Sequence, residues 1–339
     1  MTIVGIEKIE QTFTSLKEAV ALLQKELQVS YLDALIETGD NLLAKEVHVE
    51  DGLPTAEIKT RLEELYANAQ LAGLTTEQRR QVMQLLLLQA YKQEKIQANH
   101  QMTPDTIGFL VEYLLEKVLP KKQGLALLDL TVGTGNLLTA ILSKLNQNGW
   151  PKIQAYGVDN DDTLITLASM VTQIEQISVD LFHQDALDGL LLPKVDVVVS
   201  DLPVGYYPLD ERVTQFKTRA KKGHSYVHHL LIEQAVNQLK PAGFGIFVVP
   251  KGLFESPEAK GLLDYIQANA YLQGMLNLPQ DLFASKRGQK AILLLQKHGT
   301  GAKQAKQILL GDFPSFKHKE QFQAFLGQID YWERNNLMK

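Results

Sequence analysis

The sequence predicts an α/β fold, with a doubly wound and mostly parallel sheet of seven strands, the last antiparallel, behind an all-helical N-terminal domain. Three observations predict it. An apolar run ends at Asp129 and passes through a two-glycine turn straight into a helical pattern. From about residue 103 strand-like and helical segments alternate, which is the signature of a sheet covered on both faces. Residues 1–98, in contrast, hold apolar stripes at helical spacing and no clear strand.

In chain order, Leu16, Val20, Leu23 and Leu27 fall on one helical face, as do Ile58, Leu62, Leu65 and Tyr66, and then Val82, Leu85, Leu86 and Ala90. Asp51-Gly-Leu-Pro54 breaks the pattern, and Thr75-Thr-Glu-Gln78 has the make-up of a helix start. The polar stretch 92–101 reads as a helix end or a linker, which gives two domains, 1–98 and 99–339. Strands are expected at 125–130, 153–158, 179–183, 195–200, 244–249, 272–277 and 290–296, with helices after the first, second, fourth and fifth. Only Leu278 to Gln289 joins the last two strands, too short for a helical crossover, so these two are expected to pair antiparallel.

Composition bounds the function. The chain has 339 residues, 45% hydrophobic and 22% charged, with no cysteine and a net charge of −5. That describes a globular protein without disulfides or thiolate chemistry. No apolar run is long enough to span a bilayer, and the N-terminus has no signal-peptide pattern, so no membrane role and a cytoplasmic location are expected. The charge argues against indiscriminate nucleic-acid binding but leaves room for a local basic groove.

The loop Leu127-Leu-Asp-Leu-Thr-Val-Gly-Thr-Gly-Asn-Leu-Leu138 carries the first functional signal. Gly133 and Gly135 let a ligand lie against the backbone, and the helix that follows aims free N–H groups at the same spot. A dinucleotide site wants a third glycine where Leu138 stands, and an acid nearer than Asp159. Asp129 at a strand tip repels a pyrophosphate but attracts an ammonium or sulfonium group. Asp159 at the next tip suits a ribose diol. Together these point to S-adenosylmethionine. Seven strands with the last reversed are the Rossmann-like sheet of class I methyltransferases, whose ligands sit at the carboxyl ends of the strands. Asp129, Asp159, Asp185 and Asp201 all fall at or just past such ends.

With those residues in view, roughly residues 102 to 297 resemble the N6-adenine DNA methyltransferase family, especially the modification subunits of type I restriction systems and, within that group, the YtxK-like proteins. The resemblance implies cofactor contacts for Thr103 and for Asp129, Thr131, Gly133, Gly135 and Asn136. It implies that Asp159 accepts from the ribose hydroxyls beside Asn160, and that Asp185, next to Ala186, accepts from the adenine amino group. Leu239-Lys-Pro-Ala-Gly243 and the strand after it are similar to the family's next helix-turn-strand.

In the family's catalytic tetrapeptide an Asn or Asp is followed by two prolines and an aromatic residue. Here that place reads Asp201-Leu202-Pro203-Val204. The acid side chain and a backbone carbonyl would accept the two protons of a target amino group, and the aromatic ring would stack on a base rotated out of its helix. Asp201 keeps the acceptor and Leu202 keeps a carbonyl, but Val204 cannot stack; Tyr206 or Tyr207 is the candidate replacement.

Lys217-Thr-Arg-Ala-Lys-Lys222 and Lys286-Arg287 are candidate phosphate contacts, and otherwise ordinary solvated charge. His224, His228 and His229 have no recognised ligand spacing, so no metal is expected. The resemblance implies DNA as substrate, with RNA as the alternative. The forty or so residues after 300 are too few for a recognition domain, so the helical N-terminal domain is a candidate contact for a protein partner or a second copy. Three readings stay open: an N6-adenine-type methyltransferase, a non-catalytic cofactor-binding module that recruits a partner, and an N-methyltransferase for another amine.

Overall fold

The computed structural model describes residues 3–94, 97, 100–121, 124–283 and 285–337, without the side chains of residues 3, 4 and 287. The expected boundary between residues 98 and 99 therefore lies outside the described residues.

Four helices come first: α1 (Ile3–Leu27), α2 (Tyr31–Ala44), α3 (Ala56–Ala69) and α4 (Thr76–Gln93). Two of their starts carry a side-chain cap. Ser30 accepts from the Asp33 N–H, and Thr75 with Gln78 closes a full capping box, so otherwise unpaired N-terminal amides are satisfied. Leu16, Val20, Leu23, Leu62, Leu65, Val82, Leu86 and Ala90 are buried as the stripes require.

After α5 (Asp105–Val118) the chain alternates: β1 (Leu125–Asp129), α6 (Asn136–Gln147), β2 (Ile153–Asp159), α7 (Asp162–Glu175), β3 (Asp180–His183) and β4 (Val195–Asp201). Then follow α8 (Val227–Gln238), β5 (Leu239–Pro250), α9 (Ala259–Asn269), β6 (Ala270–Asn277), β7 (Lys290–Lys297), β8 (Leu309–Asp312) and α10 (Lys319–Asn336). The sheet order is β3-β2-β1-β4-β5-β7-β6-β8. The first five strands run parallel, and β7 lies antiparallel between β5 and β6. The reversed last strand of the expected seven is thus present.

Two expectations need correction. The sheet has eight strands, because Leu309–Asp312 adds a parallel edge strand beside β6. Four residues at an edge, with Leu310 69% exposed, give too short and too exposed a pattern to read. β5 also starts directly after α8 at Leu239, where a helix-turn had been expected.

Apolar clusters fill both faces of the sheet, one under α5, α6 and α10 and the other under α8 and α9. A third cluster joins the N-terminal helices to Leu164, Leu167, Met170, Val171 and Ile174 of α7. The helical region therefore shares its core with the sheet's outer layer. No described helix is long and apolar enough to cross a membrane.

Candidate functional site

Strand order reverses between β1 and β4, and ligands of open α/β sheets bind outside the strand ends at such a point. Asp129 ends β1 there, fully buried. Its Oδ1 accepts from the Thr131 N–H at 3.0 Å, whereas Oδ2 has no hydrogen-bond partner. Burial, with Asp159 and Asp201 adding like charge, pushes its carboxyl up to about 7 against the pull of the Thr131 N–H and of the nearby Ser200 hydroxyl, whose own bond goes to the Val199 carbonyl at 2.6 Å.

The glycine turn follows. Gly133 (φ 54°) and Gly135 (φ 84°) both take the left-handed conformation. A Cβ on Gly133 would meet no atom within 4 Å, so its face stays open for a ligand. The Gly133 N–H donates to Asp159 Oδ2 at 2.8 Å and the Asp161 N–H to Asp159 Oδ1 at 3.0 Å. The second strand-tip acid thus fixes the turn, and burial raises its pKa. Each oxygen still has room for another donor.

Across the switch point Asp201 ends β4. Thr103 Oγ1 donates to its Oδ2 at 2.8 Å, the Lys290 ammonium meets its Oδ1 at 2.5 Å, and Thr131 Oγ1 donates to its backbone carbonyl at 3.2 Å. Leu202 is buried and its N–H donates to the Val248 carbonyl at 3.0 Å. A hollow of about 60 Å³ lies between Thr103, Thr131, Gly133, Asn136, Asp201 and Lys290, with Pro203 and His100 to Met102 also in its lining. A second hollow of about 190 Å³, lined by Tyr91, Asp161 and Leu164, has His100 and Thr134 in common with the first.

Other expected residues sit elsewhere. The Asn136 side chain is spent on protein: Nδ2 donates to the Thr103 carbonyl at 2.6 Å, and Oδ1 accepts from Gln84 at 3.0 Å and from Arg80 at 3.3 Å. Asp185 accepts from the Tyr207 hydroxyl at 2.7 Å and from the Leu187 N–H at 2.9 Å; it and Ala186 line neither hollow, and the Asp129 and Asp159 carboxylates also lie behind the residues that line them. Asn160 is exposed past the tip of β2. Tyr207 is buried as that anchor, so of the two candidate stacking rings Tyr206 is the exposed one, at 59%; one side of it already stacks on Tyr226 with centroids 4.7 Å apart, and its hydroxyl donates to that of Tyr226 at 3.3 Å.

The basic run lines a groove of about 1000 Å³ with Lys260 of α9. The segment just after the run is tied to the loop after β4 by the Tyr207 N–H to the Ser225 carbonyl and the Val227 N–H to the Gly205 carbonyl. Lys286 is exposed, and the Arg287 side chain lies outside the described residues. His228 and His229 are buried edge-to-face in α8, and burial lowers both to about 4. No group of three or more metal-ligand side chains gathers among the described residues.

Sequence reasoning missed two features. One is Lys290, whose pairing with Asp201 spans β5. The other is a buried polar network in which Arg80 joins Asp105, Glu77 and Asn136.

The sheet order and the carboxylates at its switch point define the class I S-adenosylmethionine-dependent methyltransferase fold. A model of the N-6 DNA methylase family matches residues 84–328, and a model of the YtxK N-terminal helical domain matches residues 10–91. The chain belongs to the N-6 DNA methylase family, in its YtxK-like branch. It is 36% identical to the uncharacterized protein YtxK of Bacillus subtilis (strain 168), over 96% of this chain and 98% of that protein. A crystal structure from Listeria monocytogenes, assigned to the class I S-adenosylmethionine-dependent methyltransferases, is 40% identical, with a TM-score of 0.90 over 96% of this chain and 99% of that one. The methyltransferase subunit of a type I restriction-modification system from Streptococcus thermophilus matches in fold alone, at 17% identity and a TM-score of 0.64, over 96% of this chain and 74% of that one.

Proposed function

We propose that the protein binds S-adenosylmethionine at the tips of β1 and β2 and transfers its methyl group to an amino group of a nucleic-acid base, in the N6-adenine manner, on DNA with RNA as the alternative. The observation that carries the reading is Asp129, a fully buried carboxylate with one oxygen unpartnered beside an open glycine turn. Burying such a group without a donor is costly, and a ligand that brings a cationic donor repays it. Asp129 would take the amine and Asp159 the ribose diol; Thr103 and Thr131 would stand along the cofactor's methionine end. Asp185, Ala186 and Asn160 keep the adenine role that the resemblance implies. The hollow, at about 60 Å³, is smaller than the roughly 300–1,000 Å³ of ordinary ligand clefts, so its lining has to open for a nucleoside to enter.

When bound, the cofactor supplies an electrophilic methyl group on a sulfonium. Asp201 would accept a hydrogen bond from one N–H of the target amine and the Leu202 carbonyl from the other, which turns the nitrogen lone pair toward the methyl group. As the N–CH3 bond forms the S–CH3 bond breaks, releasing S-adenosylhomocysteine, and the methylated nitrogen gives up one proton by way of Asp201, positioning supplying most of the rate. Pro203 restricts the loop, and Tyr206 is the ring available to stack on an extruded base. Phosphates would meet Lys217, Arg219, Lys221 and Lys222. The division into a helical domain, 1–98, and a methyltransferase domain, 99–339, belongs to this reading, with the helical domain facing a protein partner or a second copy.

A radiolabelled methyl-transfer assay across DNA, RNA and cell extract tests the activity. Asp201→Ala is expected to lower transfer at least about a hundredfold; transfer that survives the change removes Asp201 from the mechanism. One observation favours a second reading, a non-catalytic cofactor module. Both Asp201 oxygens already have donors and Val204 cannot stack, so cofactor binding without turnover on any of the three substrates would establish it.

Cofactor affinity is expected to depend on pH. A cationic ligand needs Asp129 ionised, and the fold holds its pKa at about 7, above the ordinary carboxylate value. Below that value binding must release a proton, so affinity falls with falling pH, approaching about tenfold per unit, and levels off above about 7. The same shift makes Asp129 destabilise the ligand-free fold increasingly as pH rises from about 4 to 7, because the unfolded chain gives up its proton first. Calorimetry of S-adenosylhomocysteine between pH 5.5 and 8.5 checks the binding trend, and an affinity independent of pH contradicts it.

A further inference from the structure

We propose that Lys290 decides which amines the acceptor site takes: paired with Asp201 it admits an uncharged amino group that has a hydrogen-bond acceptor beside it, and turns away alkylammonium groups. The inference rests on the reading above, that Asp201 receives the target amine.

Lys290 is the first residue of β7, in register with Pro250 of β5, and its carbonyl accepts from the Leu278 N–H at 3.0 Å. Its backbone is therefore fixed on both sides. The side chain reaches over β5 to Asp201 Oδ1, at 2.5 Å, and both groups line the hollow that Gly133 and Thr103 line. Thr103 Oγ1 holds Oδ2 and Thr131 Oγ1 holds the Asp201 carbonyl, so the carboxylate has a set direction.

The pair keeps hydrogen-bond capacity to spare. A carboxylate oxygen accepts two bonds, so each Asp201 oxygen keeps one place. An ammonium has three protons, and among the described residues Asp201 is the one acceptor for Lys290. What remains is an acceptor beside a donor. An amino group on a carbon that also bears a ring nitrogen or carbonyl oxygen matches both at once. The exocyclic amines of adenine and cytosine have that pattern, and so does a carboxamide; a simple alkylamine does not.

Charge acts in the same direction. The pair is neutral as a unit, so an uncharged group enters without leaving an ion unbalanced. An alkylammonium must sit beside the Lys290 charge or expel it from Asp201. Lys290 touches the acceptor group, whereas Thr103 acts on it through Asp201 and is a positioning residue.

The test uses the full chain saturated with S-adenosylhomocysteine and measures binding of adenosine, 1-deazaadenosine, 7-deazaadenosine and butylamine by titration. Wild type is expected to bind adenosine and 7-deazaadenosine alike, to lose about tenfold with 1-deazaadenosine, which lacks the ring nitrogen on the amine's own carbon, and to ignore butylamine. Lys290→Met is expected to bind adenosine about tenfold more weakly, to treat both deaza analogues like adenosine, and to admit butylamine. Lys290→Arg keeps the donor and the charge and is expected to keep the discrimination. Melting curves on each variant confirm that it folds. Discrimination in Lys290→Met equal to that of wild type overturns the proposal, as does wild type that binds butylamine as well as adenosine, or binds no adenosine. The cofactor titration on the same samples separates the two failures. If S-adenosylhomocysteine binds and Lys290→Met changes nothing, only this inference falls; if S-adenosylhomocysteine does not bind, the cofactor reading falls first.

Discussion

Arg80→Ala is expected to destabilise the protein by about 3–5 kcal/mol, the usual cost of breaking a buried ion pair from one side. The Arg80 side chain has no exposed surface. Its guanidinium ion-pairs with Asp105, contacts Glu77 at 3.3 Å and donates to Asn136 Oδ1 at 3.3 Å. Glu175, also buried and with one oxygen unpartnered, sits close enough for Arg80 to pull its carboxyl back, although burial still leaves it at about 8. Desolvation works against the Arg80 charge, yet these three acids together hold its pKa above the ordinary arginine value. Removing the guanidinium takes the cation from Asp105 and Glu77, which keep only neutral donors in Gln84, Asn136, Gln81 and Ser143, and leaves Glu175 still harder to ionise. A lysine should rescue only in part, because a point charge cannot bridge three partners held by a planar fork.

The effect should reach the site. Asn136 holds the Thr103 carbonyl, and the Thr103 hydroxyl holds Asp201. A helix of the N-terminal region is thereby linked through two side chains to the proposed catalytic carboxylate. Thermal melting should show a clear drop for Arg80→Ala, and cofactor affinity should fall with it at temperatures where the variant remains folded. An unchanged melting temperature would mean that the network contributes no net stability. An altered melting temperature with unchanged affinity would mean that it stabilises the fold without ordering the site.

The parts of the molecule that were legible in the sequence are those with a local physical cause. Central strands buried on both faces read as apolar runs, and six of the seven expected strands fall within two residues of their observed bounds, the exception being β5, which starts at Leu239. Thr75 announces α4 because a capping box is complete within four residues. Asp129, Gly133 and Asp159 were readable as one unit because strand tips and a tight turn leave a fixed spacing. Long-range side-chain pairing leaves no such trace. Lys290 and Asp201 are 89 residues apart and meet only because β7 inserts beside β5; nothing near Lys290 sets it apart from Lys286. Arg80 looks like any charged residue of an amphipathic helix until α4 is packed against α6 and α7. Tyr206 and Tyr207 were indistinguishable by type. The bond from Tyr207 to Asp185 decides between them, and that bond depends on the path of the loop after β4.

Asp129→Asn should separate function from stability, with opposite signs. The amide has nearly the same shape, and its oxygen can still accept from the Thr131 N–H. It removes a charge that burial makes unfavourable, since the carboxyl is pushed up to about 7. At pH 8 the native protein holds that carboxylate ionised against its environment, so the ligand-free variant should be more stable than wild type, by about 1 kcal/mol or more. Cofactor binding should move the other way. A neutral amide offers a weaker acceptor to a cationic donor, charge-assisted bonds being about twice as strong as neutral ones, and its NH2 group faces the donor with protons of its own. A loss of about a hundredfold in affinity for S-adenosylhomocysteine is expected at pH 8, with the pH dependence below 7 largely abolished. Melting curves with and without ligand measure both effects in one experiment: the apo curve moves up and the ligand-induced shift shrinks. If the variant is less stable without ligand, Asp129 is a structural acceptor whose unpartnered oxygen serves the fold, and the cofactor reading loses the observation that carries it.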